Sequence, residues 1–377
     1  MAGIYIHIPF CKQACNYCDF HFSTSLKMKD EFIQALIHEI ELRKDVFSQE
    51  TISSIYFGGG TPSLLSQNDL HVIFEKLYSS FKINSDIEIT LESNPDDLSY
   101  AKIEQLKKSL INRISIGVQS FKDSDLQFMN RAHTAKEALD SVKNCQDSGF
   151  TNLNIDLIYG TPGMTDQDWL ENLNTSFTLN VPHISSYALT VEKNTALYKQ
   201  IQKNKLDPIN EQQSIKQFEI LMSEMDGNSY EQYEISNFCK ANYYSKHNTS
   251  YWKRNHYLGL GPSAHSFYEN SRFWNVSNNM KYIKELGEDK LPYEKEVLSL
   301  MDQYNEYVMT SLRTKWGCNI NYIHDFFSVD FSNHFKLESR QYIIDKRLIE
   351  INGIYYLTTK GKLFADQIAS DLFLVKH

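Results

Sequence analysis

Six times within its first 225 residues the chain repeats one pair of patterns. A short run rich in Ile, Val and Tyr is followed by a longer segment with apolar residues at helical spacing. The β-like runs lie at 4–8, 52–57, 87–92, 113–118, 153–158 and 184–189. The helical segments lie at 31–46, 69–81, 101–110, 135–147, 167–179 and 212–225. In the first of these, Phe32, Ile33, Leu36, Ile37 and Ile40 share one stripe. Such alternation predicts an α/β fold of βαβ units on a parallel sheet. With right-handed crossovers, six units make an open or closed barrel or a doubly wound sheet.

The remainder reads differently. Residues 192–210 are polar, contain Pro208, and are expected to be a connection. From about 230 to 279 the chain is rich in Tyr and Asn and has poor periodicity. That stretch is too long for a plain loop and is expected to lie over the barrel mouth. Helical runs follow at 304–312, 320–327 and 338–345, and then IEINGIYYLTTKG. Asn352-Gly353 predicts a tight hairpin turn, with a last helix from about Lys362. Helices plus a hairpin predict a small α+β, winged-helix-like unit. The expected division is a core barrel at 1–228, a lid region at 229–299 and the C-terminal domain at 300–377. From residue 301 onward nine basic residues face nine acidic ones. Without a basic excess, the last unit is expected to pack or bind a partner, not DNA.

The formal charge of the whole chain is −9, opposite in sign to that of domains that grip nucleic-acid phosphates. No stretch approaches the roughly 20 apolar residues that cross a bilayer. The opening MAGIYIHIPFCK lacks a basic region and a cleavage site, so a cytoplasmic location is expected. Thiols stay reduced there, and the six cysteines do not read as a disulfide framework.

Three of the six, Cys11, Cys15 and Cys18, sit at spacing CxxxCxxC directly after the first strand. Soft thiolates suit zinc, Cu(I) or iron–sulfur iron. Structural zinc sites usually draw four ligands from two pairs, and here no second pair matches, because Cys145, Cys239 and Cys318 are scattered singly. Three thiolates can hold three irons of a cubane and leave the fourth with open positions. Further along, Phe57-Gly58-Gly59-Gly60-Thr61-Pro62 ends the second strand, and its glycines allow close backbone approach to a ligand. Glu92, Gln119, Arg131 and Asp156 lie in or after apolar strands, where unpaired polar groups are costly. Ligands collect at the carboxyl ends of parallel strands, where these residues fall.

CxxxCxxC with an aromatic residue, Tyr17, before the last Cys resembles the radical S-adenosylmethionine (SAM) superfamily. YIHIPFC leading into CNYC is similar to the oxygen-independent coproporphyrinogen III oxidase group and to its sibling, the HemW group of haem chaperones. The resemblance implies a partial (βα)6 TIM-type barrel and a [4Fe–4S] cluster on Cys11, Cys15 and Cys18. It also implies SAM chelated at the unique iron, and a reductant whose electron converts SAM to methionine and a 5′-deoxyadenosyl radical. It places Gly59, Gly60 and Thr61 at the SAM amino group. Glu92, Gln119, Arg131 and Asp156 fall at its ribose, carboxylate and adenine region, with Tyr5, Tyr17 and Ala188 as further contacts.

Two features depart from the oxidases. Phe20 stands where their motif has a fourth cysteine, and only ten residues precede Cys11 where they carry a long extension. A third feature is HNTSYW at 247–252, similar to the HNxxYW motif associated with haem in the HemW group. It implies haem binding by His247, Asn248, Tyr251 and Trp252, since neutral imidazole ligates haem iron and aromatic rings lie against a porphyrin. His265, in YLGLGPSAHSF, is a second candidate ligand. The implied function is a haem chaperone that delivers haem to acceptor haemoproteins and has no coproporphyrinogen dehydrogenase activity. No nucleic-acid partner is expected, and membrane contact is expected only through the acceptor. The alternative is an oxygen-independent coproporphyrinogen III dehydrogenase, converting propionates to vinyls by radical oxidative decarboxylation. A radical SAM enzyme on another substrate is a third reading, because one barrel hosts many chemistries.

Overall fold

The computed structural model describes residues 1–375. Six parallel strands stand in chain order: β1 (Ala2–Ile8), β2 (Thr51–Gly59), β3 (Lys82–Ser93), β4 (Arg113–Gln119), β5 (Leu153–Tyr159) and β6 (His183–Ala188). Helices α1 (Lys29–Arg43), α2 (Gln67–Ser80), α3 (Tyr100–Lys107), α4 (Asp123–Phe128), α5 (Ala135–Asp147) and α6 (Asp166–Thr178) connect them. Each periodicity expected in the first half thus has its element. Local chemistry starts several helices: Ser66 with Asp69, Thr134 with Glu137 and Thr165 with Asp168 form capping boxes ahead of α2, α5 and α6.

The strands have two unlike faces. One carries buried residues such as Ile4, Ile6, Ile89, Leu91, Ile114, Ile116, Ile155 and Leu157. These share a core with the apolar stripes of the helices, including Phe32, Leu36 and Ile40 of α1. The opposite face is polar, with Ser54, Glu88, Thr90, Arg113, Ser115, Asn154, His183 and Ser185 all buried. A polar lumen needs partners for its groups, which here come from neighbouring strands: Asn154 Nδ2 donates to Ser115 Oγ at 2.7 Å and to Asp156 Oδ1 at 2.8 Å.

Beyond β6 the expectations need correction. The stretch 192–210 is not only a connection. It contains α7 (Ala196–Gln202), capped by Thr195, whose side chain accepts from Tyr198 N, and it leads into α8 (Glu211–Gly227). Residues 229–299, expected as a lid region of poor periodicity, carry regular elements. They supply β7 (Glu231–Glu234), β8 (Asn237–Cys239), α9 (Lys246–Trp252), β9 (Tyr257–Leu260), β10 (His265–Tyr268), β11 (Ser271–Asn275), α10 (Asn279–Leu286) and β12 (Tyr293–Val297). β8 pairs antiparallel with β6, and β9 pairs parallel with β1, so both flanks of the six-strand unit are extended. Strands of three to five residues are too short for a period of two to stand out in sequence.

Residues 300–375 have their own core around Tyr304, Phe335, Leu348 and Ile368. α11 (Leu300–Leu312) leads through β13 (Cys318–Asn319) and α12 (Ile320–Tyr322) to α13 (Val329–Ile344). The hairpin β14 (Leu348–Ile351) and β15 (Ile354–Leu357) follows, then α14 (Thr359–Lys362) and α15 (Ala365–Asp371). Asn352 and Gly353 have φ of 53° and 80°, the left-handed pair that a two-residue type I′ turn demands. Among the described residues no helix is long and apolar enough to cross a membrane.

Candidate functional site

The three clustered cysteines lie on the loop that leaves β1, and all three are partly exposed. Main-chain bonds fix both ends of the loop. Cys11 N donates to Ser23 O at 3.0 Å, and Ser23 N donates to Pro9 O at 2.9 Å. Its middle rests on the turn after α4: Asn16 N donates to Met129 O at 3.1 Å, and Asn130 Nδ2 donates to Ala14 O at 2.7 Å. Arg131 Nη1 is 3.3 Å from Cys15 Sγ. Burial pushes the Cys11 thiol above its ordinary range and the Cys18 thiol up to about 11. Metal binding at such thiols therefore releases protons.

Beneath the loop the glycine run has a definite steric role. A Cβ on Gly60 would lie 2.5 Å from Phe10 O, and one on Gly59, at φ +99°, would lie 2.3 Å from the His7 ring. The glycines thus let the cysteine loop lie directly on the end of β2. Glu92 sits beside them in the lumen, accepting from Tyr56 Oη at 2.7 Å and Gly59 N at 3.1 Å. Burial raises its carboxyl to about 7, and burial likewise raises Asp156. Gln119 ends β4 with φ 65°, a conformation that a non-glycine side chain holds at a cost. Arg131 Nη2 donates to Asn94 Oδ1 at 2.6 Å and to Gly117 O at 2.9 Å.

Cys11, Cys15, Cys18, Gly59, Gly60, Thr61, Glu92, Gln119, Arg131 and Asp156 thus come from one loop and the carboxyl-end side of β2 to β5. Tyr17, on the same loop, packs against the apolar cluster of Leu126, Met129, Ile158, Leu189 and Leu197, and Ala188 ends β6. Tyr5 lies lower on β1, its hydroxyl 3.2 Å from His7 Nδ1. Asn94 is the site residue that sequence reasoning missed: it donates to Thr61 Oγ1 at 3.2 Å while holding Arg131. Its signal was present two residues after Glu92, in ESNP. Arg131 Nε and Ser93 Oγ are buried there with no hydrogen-bond partner among the described residues. Buried polar atoms without partners beside three soft ligands fit a polar ligand bound next to a metal cluster.

The HNTSYW segment divides. His247 is buried at the opposite, amino-terminal end of the lumen, against Gly3 of β1. Its Nδ1 is 2.8 Å from Ser54 Oγ and its Nε2 is 2.8 Å from Tyr251 Oη. Its main-chain N donates to Glu88 Oε1 at 3.1 Å. Asn248 Nδ2 donates to Tyr233 Oη at 3.2 Å, and that hydroxyl also bonds His183. So α9 plugs the base of the barrel. Both imidazole nitrogens of His247 are thus engaged inside protein, and neither His247 nor Asn248 lines the cleft that Tyr251 and Trp252 reach. Burial also takes the His247 imidazole down to about 3, so it is neutral. A His247→Ala variant leaves Ser54 and Tyr251 without their partner. It is expected to lose about 2 kcal/mol of stability while keeping the iron of the cysteine loop. Urea denaturation and iron analysis of the same preparation check this; unchanged stability would contradict the plug.

Tyr251 and Trp252, at the other end of α9, do line a cleft of about 580 Å³. Its walls also include Asp19 and Phe20 of the cysteine loop, His265 and Phe267 of β10, and Glu306 of α11. Phe20 is 65% exposed, so its ring stands free at the edge of the loop. The cleft joins the barrel's open flank to the C-terminal unit, with Arg254 and Arg272 both paired to Glu306.

Comparison with known proteins bears on the family and the fold. Residues 5–175 match the family model described as the radical SAM superfamily. The heme chaperone HemW of Bacillus subtilis is 34% identical over 372 residues, covering 98% of each chain. That of Haemophilus influenzae is 32% identical, covering 100% of this chain and 98% of its own. Among solved structures, the radical SAM enzyme coproporphyrinogen III oxidase (HemN) from Escherichia coli superposes with a TM-score of 0.86 at 22% identity. The match covers 99% of this chain and 90% of that one, and at such identity it establishes the fold.

Proposed function

Since this chain belongs to the HemW family within the radical SAM superfamily, we propose that it is a cytoplasmic haem chaperone. In this reading it carries a [4Fe–4S] cluster and SAM, binds haem in the cleft beside the cluster loop, and hands it to acceptor haemoproteins. The observation that carries the reading is the position of the cleft. It borders the cysteine loop, is walled by Tyr251, Trp252, Tyr257 and Phe267, and has Phe20 where dehydrogenase chemistry would call for a thiol. Aromatic faces suit a flat apolar macrocycle.

Cys11, Cys15 and Cys18 would hold the cluster, which when bound supplies one-electron reduction of SAM from an outside reductant. The residues around it bind and orient. Gly59, Gly60 and Thr61 would meet the SAM amino group from the end of β2, on which the cysteine loop directly rests. Arg131, braced by Asn94, keeps its Nε without a partner among the described residues, and in this reading Gln119, Asp156, Tyr5, Tyr17 and Ala188 are further SAM contacts. Tyr251 and Trp252 wall the haem cleft, while His247 positions Tyr251 through the bond between them, and Asn248 anchors the helix.

Glu92 gives a prediction of definite sign. Its carboxyl titrates at about 7, and SAM is a cation with hydroxyl donors, so the ionised form is the better acceptor. SAM affinity should rise as pH climbs towards 7, by up to about tenfold per unit, and level off near pH 8. Equilibrium binding of SAM to the cluster-loaded protein measures it, and Glu92→Gln should flatten the profile. A wild-type profile that falls with rising pH would remove Glu92 from the SAM site.

The function itself is tested anaerobically with reduced, cluster-loaded protein, SAM and coproporphyrinogen III, beside an active oxidase. Haem uptake is titrated in parallel. Haem binding without protoporphyrinogen formation is expected. Product at the control's pace would make the chain a dehydrogenase.

A further inference from the structure

The proposed haem cleft leaves open which atom meets the iron. Three histidines line it: His7, His21 and His265. His7 has both nitrogens engaged, Nδ1 at 3.2 Å from Tyr5 Oη and Nε2 at 2.8 Å from His21 O. The Nε2 of His21 is 2.7 Å from Asn279 Oδ1. His265 alone of the three has no side-chain hydrogen bond to any described residue, and its side chain is exposed into the cleft. His247, which the motif resemblance favoured, is buried at the base with both nitrogens bonded.

Strand pairing and packing fix the place of His265 in the fold. It pairs with Trp274 across β10 and β11, and the two rings stack at 6.0 Å and 26°. Its main chain presses on β9 at Gly259, where a Cβ would lie 2.1 Å from His265 O. Stacking and strand pairing together place one imidazole at the cleft wall without using its nitrogens. A free, pre-oriented imidazole is what a metal site requires and what a mere core histidine lacks. Partial burial and nearby Arg272 lower its pKa, which favours the neutral, ligating form.

We propose that His265 is the chain's ligand to the iron of haem bound between the cluster loop and β10. This rests on the haem-chaperone reading above and deepens it. A single protein ligand leaves the opposite axial position open. An acceptor's own ligand can then bond the iron before the bond to His265 breaks, so haem passes by ligand exchange with no change in iron oxidation state. Aromatic walls, including Tyr251 and Trp252, hold the macrocycle through that exchange.

The test is resonance Raman and Soret spectroscopy of the full chain titrated anaerobically with haem, in ferric and dithionite-reduced states. The wild type should show an iron–imidazole signature. His265→Ala should lose it and bind haem at least roughly tenfold more weakly, the lower range for disturbing a metal's ligand shell. Added imidazole should restore the signature, and His265→Cys should replace it by a thiolate spectrum, which together exclude simple misfolding. An iron–imidazole signature and affinity unchanged in His265→Ala would overturn the assignment. A wild type that takes up no haem would instead overturn the chaperone reading, and this assignment with it.

Discussion

Replacing Cys15 by serine is expected to leave the protein colourless, with iron and acid-labile sulfide near zero after anaerobic reconstitution. The loop offers three thiols and no spare. Cys145, Cys239 and Cys318 are fully buried in separate parts of the core, so none can stand in. Serine keeps the shape but offers a hard, protonated oxygen in place of a soft thiolate. The fold should scarcely notice. The loop is held by main-chain bonds from Cys11, Asn16 and Ser23, and Cys15 itself is half-exposed. Stability should stay within about 0.5–1 kcal/mol of wild type, as for surface changes away from packing. Iron retained at the wild-type level would refute the cluster assignment. Lost iron with a wild-type circular dichroism spectrum is the expected pair of results.

Gly60→Ala should do the reverse and damage the scaffold first. Its new Cβ would sit 2.5 Å from Phe10 O, 2.6 Å from Ile8 O and 2.9 Å from Phe10 N, all backbone atoms of the strand end that launches the cysteine loop. Those atoms cannot rotate aside as a side chain would. Relief requires parting the ends of β1 and β2, where Gly60 N bonds Ile8 O at 2.9 Å and Thr61 N bonds Phe10 O at 2.6 Å. Phe10 is fully buried, so the displacement also disturbs packing. Overpacking and two weakened hydrogen bonds together should cost about 3–4 kcal/mol, with a matching loss of iron as Cys11 moves. Gly227→Ala is the control. Nothing lies within 4 Å of its added Cβ, and it ends a helix, so stability should hold or rise by about 0.4–1 kcal/mol. Denaturant midpoints of the two variants decide the point; equal midpoints would refute the steric account.

The two variants separate two things that the sequence writes into the same short region. Cys11, Cys15 and Cys18 are legible because metal chemistry is local: three soft ligands must fall within one loop. Gly59 and Gly60 are legible because they mark a close approach, although the sequence does not name the approaching group. The structure shows that it is protein as well as any ligand, since His7 and the Phe10 carbonyl already occupy the space above them. Glu92, Arg131 and Asp156 could be picked out as polar groups on apolar strands. Asn94 lies two residues after Glu92, but its role in bridging Arg131 and Thr61, residues far apart in the chain, shows only in the fold.

What the sequence by itself determined is therefore what depends on neighbours along the chain. Strand and helix periods yield the six βα units. The cysteine spacing defines a loop that can hold a cluster. Asn352-Gly353 makes the hairpin, with both residues at the positive φ that the turn needs. What only the tertiary structure decided is which end of the barrel each later segment meets. HNTSYW carries the same residues whether it faces a cleft or plugs a base. Its placement is set by Ser54, Glu88 and Tyr233, contributed by three separate strands. The short strands that flank β1 and β6 were hidden for the same reason, since their stability comes from the partner strand and not from their own pattern. Hydrogen bonds and burial across the fold are settled by distances in space, and a histidine's role follows from which of its nitrogens those distances leave free.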